Sequence, residues 1–326
     1  LMGSSTNCYM GSYVLDNDID LSGLAADGDA LISGYFMGRL DGNGHKLTGN
    51  TAPIFSNIKF AHISNLTIED SNVQLTGRTE RTGALANEVE YGILENIVVR
   101  NATVNANRET GALAGRMTGA LVQDVHVTEA KVSGTARVGT LAGYVDKSQI
   151  TECSANGETT ATGSAVGGFA GEIVGGTFVK DSYSVGRAQG GNASDDAGGF
   201  IGYVNGSRIE NCFSNARAEG RTGVAGFIGQ SINNATVKNN LALANQFKGY
   251  KFDGRTGNAL FTNFSGNYEN GAAVGTSTLD RKNIDYTGKI DVADGDTIKT
   301  EVFYTETLGW KDTVWDFSTV ATGGIP

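Results

Sequence analysis

Proline is nearly absent from this chain, with 2 residues in 326, and the 47 glycines follow no three-residue period, so a collagen-like triple helix is excluded. Charged residues make up only 18% and apolar ones are spread throughout, which excludes a disordered chain. No run approaches the ~18 consecutive apolar residues of a membrane-spanning helix, so the chain is expected not to span a membrane. Cysteine is scarce. Cys8, Cys153 and Cys212 are too few for a disulfide framework and lack zinc-finger spacing. Basic residues are outnumbered, 25 to 35, and the net charge of −10 argues against a nucleic-acid partner. Residues 1–20 lack the charged start and apolar core of a signal peptide, so an exported protein would carry this chain as part of something longer.

What is present is a repeat. Segments beginning at Thr51, Thr82, Thr110, Val138, Val166, Ala197 and Val224 align on a Gly-x-Leu/Phe pattern, with starts 31, 28, 28, 28, 31 and 27 residues apart. A degenerate eighth copy is placed at Thr256-Gly-Asn-Ala-Leu. Each copy holds a second apolar stretch, such as Ile63-Ser-Asn-Leu-Thr-Ile or Leu94-Glu-Asn-Ile-Val-Val. A weaker third follows, through Val73, Val104, Val132, Ala188 and Ala218. Apolar residues alternate with period two, β-branched residues are common, and a Gly in every unit would cost a helix ~1 kcal/mol each. About three short strands per unit, with no helix long enough for a crossover, predict a chain that coils and stacks on itself. The expected fold is all-β: a right-handed, single-stranded parallel β-helix of about seven coils over residues 51–245. It is flanked by an N-terminal cap and first strands (1–50) and C-terminal coils with a Trp-containing cap (246–326).

This fold makes residue-level demands. Leu85, Leu113, Leu141, Phe169, Phe200 and Phe227 should form one interior row. The three-then-two spacing of Ile63–Leu66–Ile68 and its equivalents implies a corner at Asn65, Asn96, Asp124, Glu152, Asp181, Asn211 and Asn239. Asn and Asp tolerate left-handed backbone there and can stack as a ladder. Cys153 and Cys212 fall in an inward row two coils apart, nearly 10 Å at ~4.8 Å per coil, too far for a disulfide. Tyr13–Leu21 and Phe36–Leu47 are expected to cover one open end. Phe303, Tyr304, Leu308, Trp310, Trp315 and Phe317 are expected over the last coil or along its side.

Gly199-Phe-Ile-Gly202 followed by Ile209-Glu-Asn-Cys-Phe-Ser214 resembles the GLUG repeat. Tyr13–Ser22 and Phe36–His45 look like the lead-in of such proteins, and Thr307–Trp310 with Val314–Ser318 like their closing segment. The chain thereby resembles the non-catalytic region of bacterial immunoglobulin-A-specific zinc metalloproteases. The resemblance implies an exported parent and an extracellular or cell-surface location. The His-Glu-x-x-His signature of that family is absent from this sequence: its histidines are His45, His62 and His126, and none is followed by Glu.

Catalytic and metal-binding residues are expected to be none, and so is a cofactor. Zinc chemistry needs three clustered ligands, and the three histidines fall at unrelated repeat positions. A glycosidase needs paired carboxylates on one face, for which Glu152 with Asp181, or Asp195 with Asp196 in the Gln189–Asp196 insertion, are the candidates. The bland reading of the second pair is a solvated loop tip. Asp16-Asn-Asp-Ile-Asp20 has Leu21 where a calcium loop needs Gly. Arginines recur before the Gly-x-Leu segments, at Arg78, Arg81, Arg108 and Arg137, then Arg221 and Arg255. If stacked they form a basic stripe able to dock an acidic partner, unless the interleaved Glu80 and Glu109 pair with them. The arginine stripe and the Asp195/Asp196 insertion are therefore the two candidate binding surfaces.

Three functions are open: a domain presenting a host protein substrate to a metalloprotease, an adhesin or stalk binding host glycoprotein or matrix, and a polysaccharide-active β-helix enzyme. A monomer is expected.

Overall fold

Alternation is what builds each strand. In Ala86–Glu90 the buried Val89 sits between outward Glu88 and Glu90, and in Ile93–Arg100 the buried Leu94, Ile97 and Val99 share one side. None of these strands is long enough to bury both faces alone, so each pairs with its equivalent one repeat away. The computed structural model describes residues 9–77, 81–191, 195–233, 235–243, 296–322 and 324–326, and between 244 and 295 the strand segments 246–247, 253–256, 263–265, 267–270, 274–275 and 290–293. The result is a parallel β-helix of about eight turns, with 5% helix.

Three faces make up a coil. A narrow face holds strands of two to four residues, such as Arg81–Thr82, Glu109–Thr110 and Val138–Gly139. A flat face holds five-residue strands such as Ala86–Glu90, Ala114–Thr118 and Ala142–Asp146. A bent face holds the longer strands, His62–Glu69, Ile93–Arg100 and Leu121–Gly134 among them. Every pairing between named strands is parallel and joins equivalent positions: Ala86 with Ala114, Ala114 with Ala142, Ala142 with Ala170, Ala170 with Ile201.

The Gly-x-Leu segment is therefore not a strand of its own: its first Gly ends or follows a narrow-face strand, and the next residues bend into the flat face. Its glycines are required by close approach. A Cβ on Gly111 would lie 2.6 Å from the Cα of Ala142, and one on Gly143 would lie 2.3 Å from the backbone nitrogen of Thr110. Only a residue without a side chain lets the backbone of adjacent coils pack so tightly.

The interior follows the expected rows. Leu85, Leu113, Leu141, Phe169, Phe200 and Phe227 have no exposed surface. The rings of Phe169 and Phe200 are 4.7 Å apart, and those of Phe200 and Phe227 are 5.0 Å apart. Cys153 and Cys212 are buried free thiols. Burial pushes the Cys153 thiol up to about 12 and raises Cys212 well above its ordinary value. Cys8 lies outside the described residues.

The seven corner residues all have left-handed backbone, with φ between 50° and 57° at Asn65, Asn96, Asp124, Glu152, Asp181, Asn211 and Asn239. Each sits within or beside a strand of the bent face and turns it.

The N-terminal segments and the degenerate eighth repeat differ from expectation, while the C-terminal aromatic segment lies along the side of the coils as expected. Tyr13 pairs with Leu40, Leu40 with Ile63, and Ile19 with Leu47, so Tyr13–Leu21 and Phe36–Leu47 are in-register rungs and not a lid. Their Leu40 and Leu47 join the interior core and Tyr13 and Leu15 pack against it, which is why they extend the helix. At the other end, Ile228 pairs with Asp253 and Ser231 with Thr256. The eighth coil's flat strand therefore ends at Thr256, whereas the degenerate motif would begin there. Parallel rungs continue through Asn267–Asn270 and Ile290–Ala293. The Trp-containing segment packs along the side of the coils. Phe303, Tyr304, Leu308, Trp310, Trp315 and Phe317 form one cluster with Phe213 and Leu241, with Tyr183 and Tyr268 against it. Tyr183, Phe213, Leu241 and Tyr268 are a single outward column of the bent face. The indole of Trp310 donates to the backbone oxygen of Asn239 at 2.9 Å.

Candidate functional site

The arginines come from the narrow and flat faces. Register places Glu109, not Arg108, beside Arg81, and the pairing of Thr110 with Val138 carries that column on to Arg137. The expected basic stripe is thus a column of alternating charge, because the coil spacing puts opposite charges directly over one another. The Glu109 side chain is 5% exposed. It accepts from Arg116 Nη2 at 2.6 Å and Arg116 Nε at 2.7 Å, and from Arg137 Nη1 at 2.9 Å. Arg81 stands 3.5 Å away and also pairs with Glu88, while Arg137 reaches Glu172. The guanidiniums of Arg116 and Arg137 lie 4.6 and 5.0 Å from the Tyr144 ring. The hydrogen bond that Arg116 donates to Glu109 holds Arg116 above its ordinary value. Burial pulls Arg137 down, but Glu172 and Glu109 outweigh it. Three arginines and three glutamates offer no excess charge to a ligand. Arg108 is exposed on the turn before this column. Arg78 and Glu80 lie outside the described residues.

Asp195 begins the strand Asp195–Gly198, which pairs with Thr222–Ala225. Asp196 is 6% exposed with φ of 69°, so it is no solvated loop tip. The insertion rejoins the narrow face two residues before its tight bend, and register puts Asp196 two coils along the same column as Arg137.

The histidines are apart. His45 Nδ1 lies 3.1 Å from Asp18, His62 Nε2 lies 3.2 Å from Glu95, and His126 sits between Ser154 and Asp124 at 2.9 and 2.8 Å. Asp18 and Asp20 are held below the usual carboxylate range by the backbone N–H groups of Lys46 and Ser22. Among the described residues, no three His, Cys, Asp or Glu side chains are grouped to hold a metal ion.

The corner ladder borders a concavity that takes in His62, His126, Glu152 and Asp181. Asn65 donates to Asp41 at 3.0 Å, Asn96 to Asn65 at 2.9 Å, and Asn211 to Asp181 at 3.0 Å. Between these amide rungs come three carboxylates, Asp124, Glu152 and Asp181, one per coil. Two adjoining hollows follow the corner. One, of about 480 Å³, is lined by His62, Glu95, Asn96, Asp124 and Glu152. The other, of about 330 Å³, runs from Asp124, Glu152 and Asp181 to Tyr183 and Trp315 under the C-terminal segment. Glu152 and Asp181 are thus on one face as the sequence suggested. Asp181 is engaged by Lys180 at 2.8 Å.

Sequence reasoning missed two features. Glu88, Arg116, Tyr144 and Glu172 share an outward column at intervals of 28 residues, a signal readable once the register is known. Phe60 and Tyr91 form an exposed stacked pair, 60% and 53% accessible, with rings 5.3 Å apart. Both have left-handed backbone, φ 49° and 52°, where the coils beyond use Gly119 and Lys147. Left-handed backbone is uncommon for a bulky aromatic residue.

Residues 2–101 match the model of the M26 IgA1-specific metallo-endopeptidase N-terminal region. No curated protein matches the chain. Among solved structures, a chain described as IgA1 protease matches with a TM-score of 0.56 and 16% identity, covering 82% of this chain and 21% of its own length. This chain therefore spans about a fifth of that protein. A 1.30 Å crystal structure of a proposed immunoglobulin A1 protease from Bacteroides ovatus gives a TM-score of 0.43 at 15% identity, over 93% of this chain and 82% of that one. The chain is a β-helical domain that resembles the N-terminal, non-catalytic region of immunoglobulin-A1-specific metalloendopeptidases.

Proposed function

We propose that this chain is a non-catalytic β-helical domain of a secreted or surface bacterial protein related to zinc metalloproteases, and that it presents or orients a protein substrate. The match over residues 2–101 carries this reading. The build of the domain supports it. Stacked coils make a stiff scaffold that holds side chains at fixed ~4.8 Å intervals along its length. A scaffold of that kind positions a large substrate without needing chemistry of its own. Immunoglobulin A1 is the substrate named for the relatives, and it is the first partner to test. The immobilised chain should capture immunoglobulin A1 and not immunoglobulin G in biolayer interferometry. Equal signals for the two, or none for either, would remove the substrate-presenting role.

A further inference from the structure

We infer that the groove along the acidic corners takes an extended, arginine-bearing segment of a partner protein. This deepens the substrate-presenting reading and rests on it in one respect, that the partner is a protein. The floor is a line of Asp124, Glu152 and Asp181, and Asp316 stands at the rim. Lys180 engages Asp181 at 2.8 Å and His126 engages Asp124 at 2.8 Å. Among the described residues the Glu152 side chain meets only the side-chain amide of Gln123, at 3.4 Å. The groove therefore keeps net negative charge at neutral pH, and among the described residues no Lys, Arg or His side chain pairs with Glu152 at its centre.

The walls narrow the choice of cation. Half-buried Tyr183 lines the groove beside the carboxylates, and the buried Trp315 packs against it with ring centroids 6.2 Å apart. A guanidinium is planar, stacks on aromatic rings and forks onto a carboxylate, so it satisfies wall and floor together. Trp315 is 6% exposed, and its indole N–H has no acceptor among the described residues. An extended peptide brings backbone carbonyls that can serve such a donor. A neutral sugar could stack on the rings but would leave the carboxylates unbalanced, and an anionic glycan would be repelled.

The test uses the whole chain and the peptide acetyl-Gly-Arg-Gly-Arg-Gly-amide, with its citrulline-for-arginine version as the neutral control. Calorimetry and tryptophan fluorescence report binding. The arginine peptide should bind, more weakly as salt rises, and the citrulline peptide should not. Glu152→Gln should weaken binding about tenfold or more, the scale of one charged hydrogen bond. Asp316→Asn, outside the stacked coils, should weaken it in the same direction. Equal binding of both peptides, or binding unchanged in both variants, overturns the inference. So does a neutral oligosaccharide that binds where the arginine peptide does not. Arginine-peptide binding without capture of immunoglobulin A1 would leave the groove standing and remove the substrate-presenting role. Capture of immunoglobulin A1 with no arginine-peptide binding would do the reverse.

Discussion

Replacing Phe200 by Ala should be among the most damaging single changes in this molecule. Its ring is fully buried and lies between Phe169 at 4.7 Å and Phe227 at 5.0 Å. Phe→Ala in a packed core costs about 3–5 kcal/mol, counting lost transfer energy and the cavity left behind. Phe200 belongs in the upper half of that range for two reasons. Both flanking rings lose a stacking partner, worth about 0.5–1.5 kcal/mol per pair. The cavity also cannot collapse, because Phe169 N–H to Phe200 O at 2.8 Å and Phe200 N–H to Phe227 O at 2.9 Å fix the distance between coils. A loss of about 4–5 kcal/mol is expected. Phe200→Leu should cost much less, about 1–2 kcal/mol, since the same row accepts Leu85, Leu113 and Leu141. Guanidinium unfolding measures the difference. Each coil contacts only its neighbours, so hydrogen exchange should show lost protection centred on the coils of Phe169, Phe200 and Phe227. A loss under about 1.5 kcal/mol for Phe200→Ala, or one no larger than that for Phe200→Leu, would refute a rigid stacked interior.

Three further outcomes are expected. With its thiol pushed up to about 12, Cys153 is only about one part in ten thousand thiolate at pH 8, so it and Cys212 should resist a thiol reagent until denatured. Fast native labelling of either, or a Cys153–Cys212 disulfide in peptide maps, would contradict the register. Asn65 is the main cause holding the Asp41 carboxyl below its ordinary 3.8, with the Asn43 backbone N–H next. A lowered folded value means Asp41 contributes stability above about pH 4 that is lost as pH falls through the folded value. Asn65→Gly, which keeps the left-handed corner, should raise the Asp41 midpoint in a carbon-13 carboxyl titration, and no movement would discount the ladder bond. Tyr91→Gly should change unfolding free energy by less than about 1 kcal/mol, because relief of left-handed strain offsets one exposed ring contact. A larger loss would make the Phe60–Tyr91 pair a structural clamp.

The parts of the fold that the repeat dictates were legible residue by residue. Asn65, Asn96, Asp124, Glu152, Asp181, Asn211 and Asn239 were assigned a corner from a break in alternation, and each has a φ near +50°. The interior Leu/Phe row was legible for the same reason, since stacking equivalent positions leaves one residue type facing inward. Surface chemistry was less legible because it depends on the sideways neighbour. Arg81 and Arg137 looked like a stripe in linear sequence, but a one-residue difference in register puts Glu109 into their column. Asp196 looked like a loop residue because its insertion is long, yet the strand begins at Asp195. The groove depended on where the Trp310–Phe317 segment docks, a contact between sequence-distant elements that no periodicity encodes.

The central claim is that each repeat is one coil stacked on the next in a fixed register. Thr118 and Asp146 are register partners on the flat face, half-buried at their strand ends. Their Cα atoms should be about 4.8 Å apart, within disulfide reach. Tyr144, two residues earlier in the second strand, should be about 8 Å from Thr118, beyond it. Cysteine pairs are introduced at Thr118 with Asp146, and separately at Thr118 with Tyr144, in a Cys8→Ser background, and oxidised under native conditions. Peptide mapping should find a near-complete crosslink in the first variant and none in the second. Crosslinking in the second, or in neither, would mean the coils do not stack in this register.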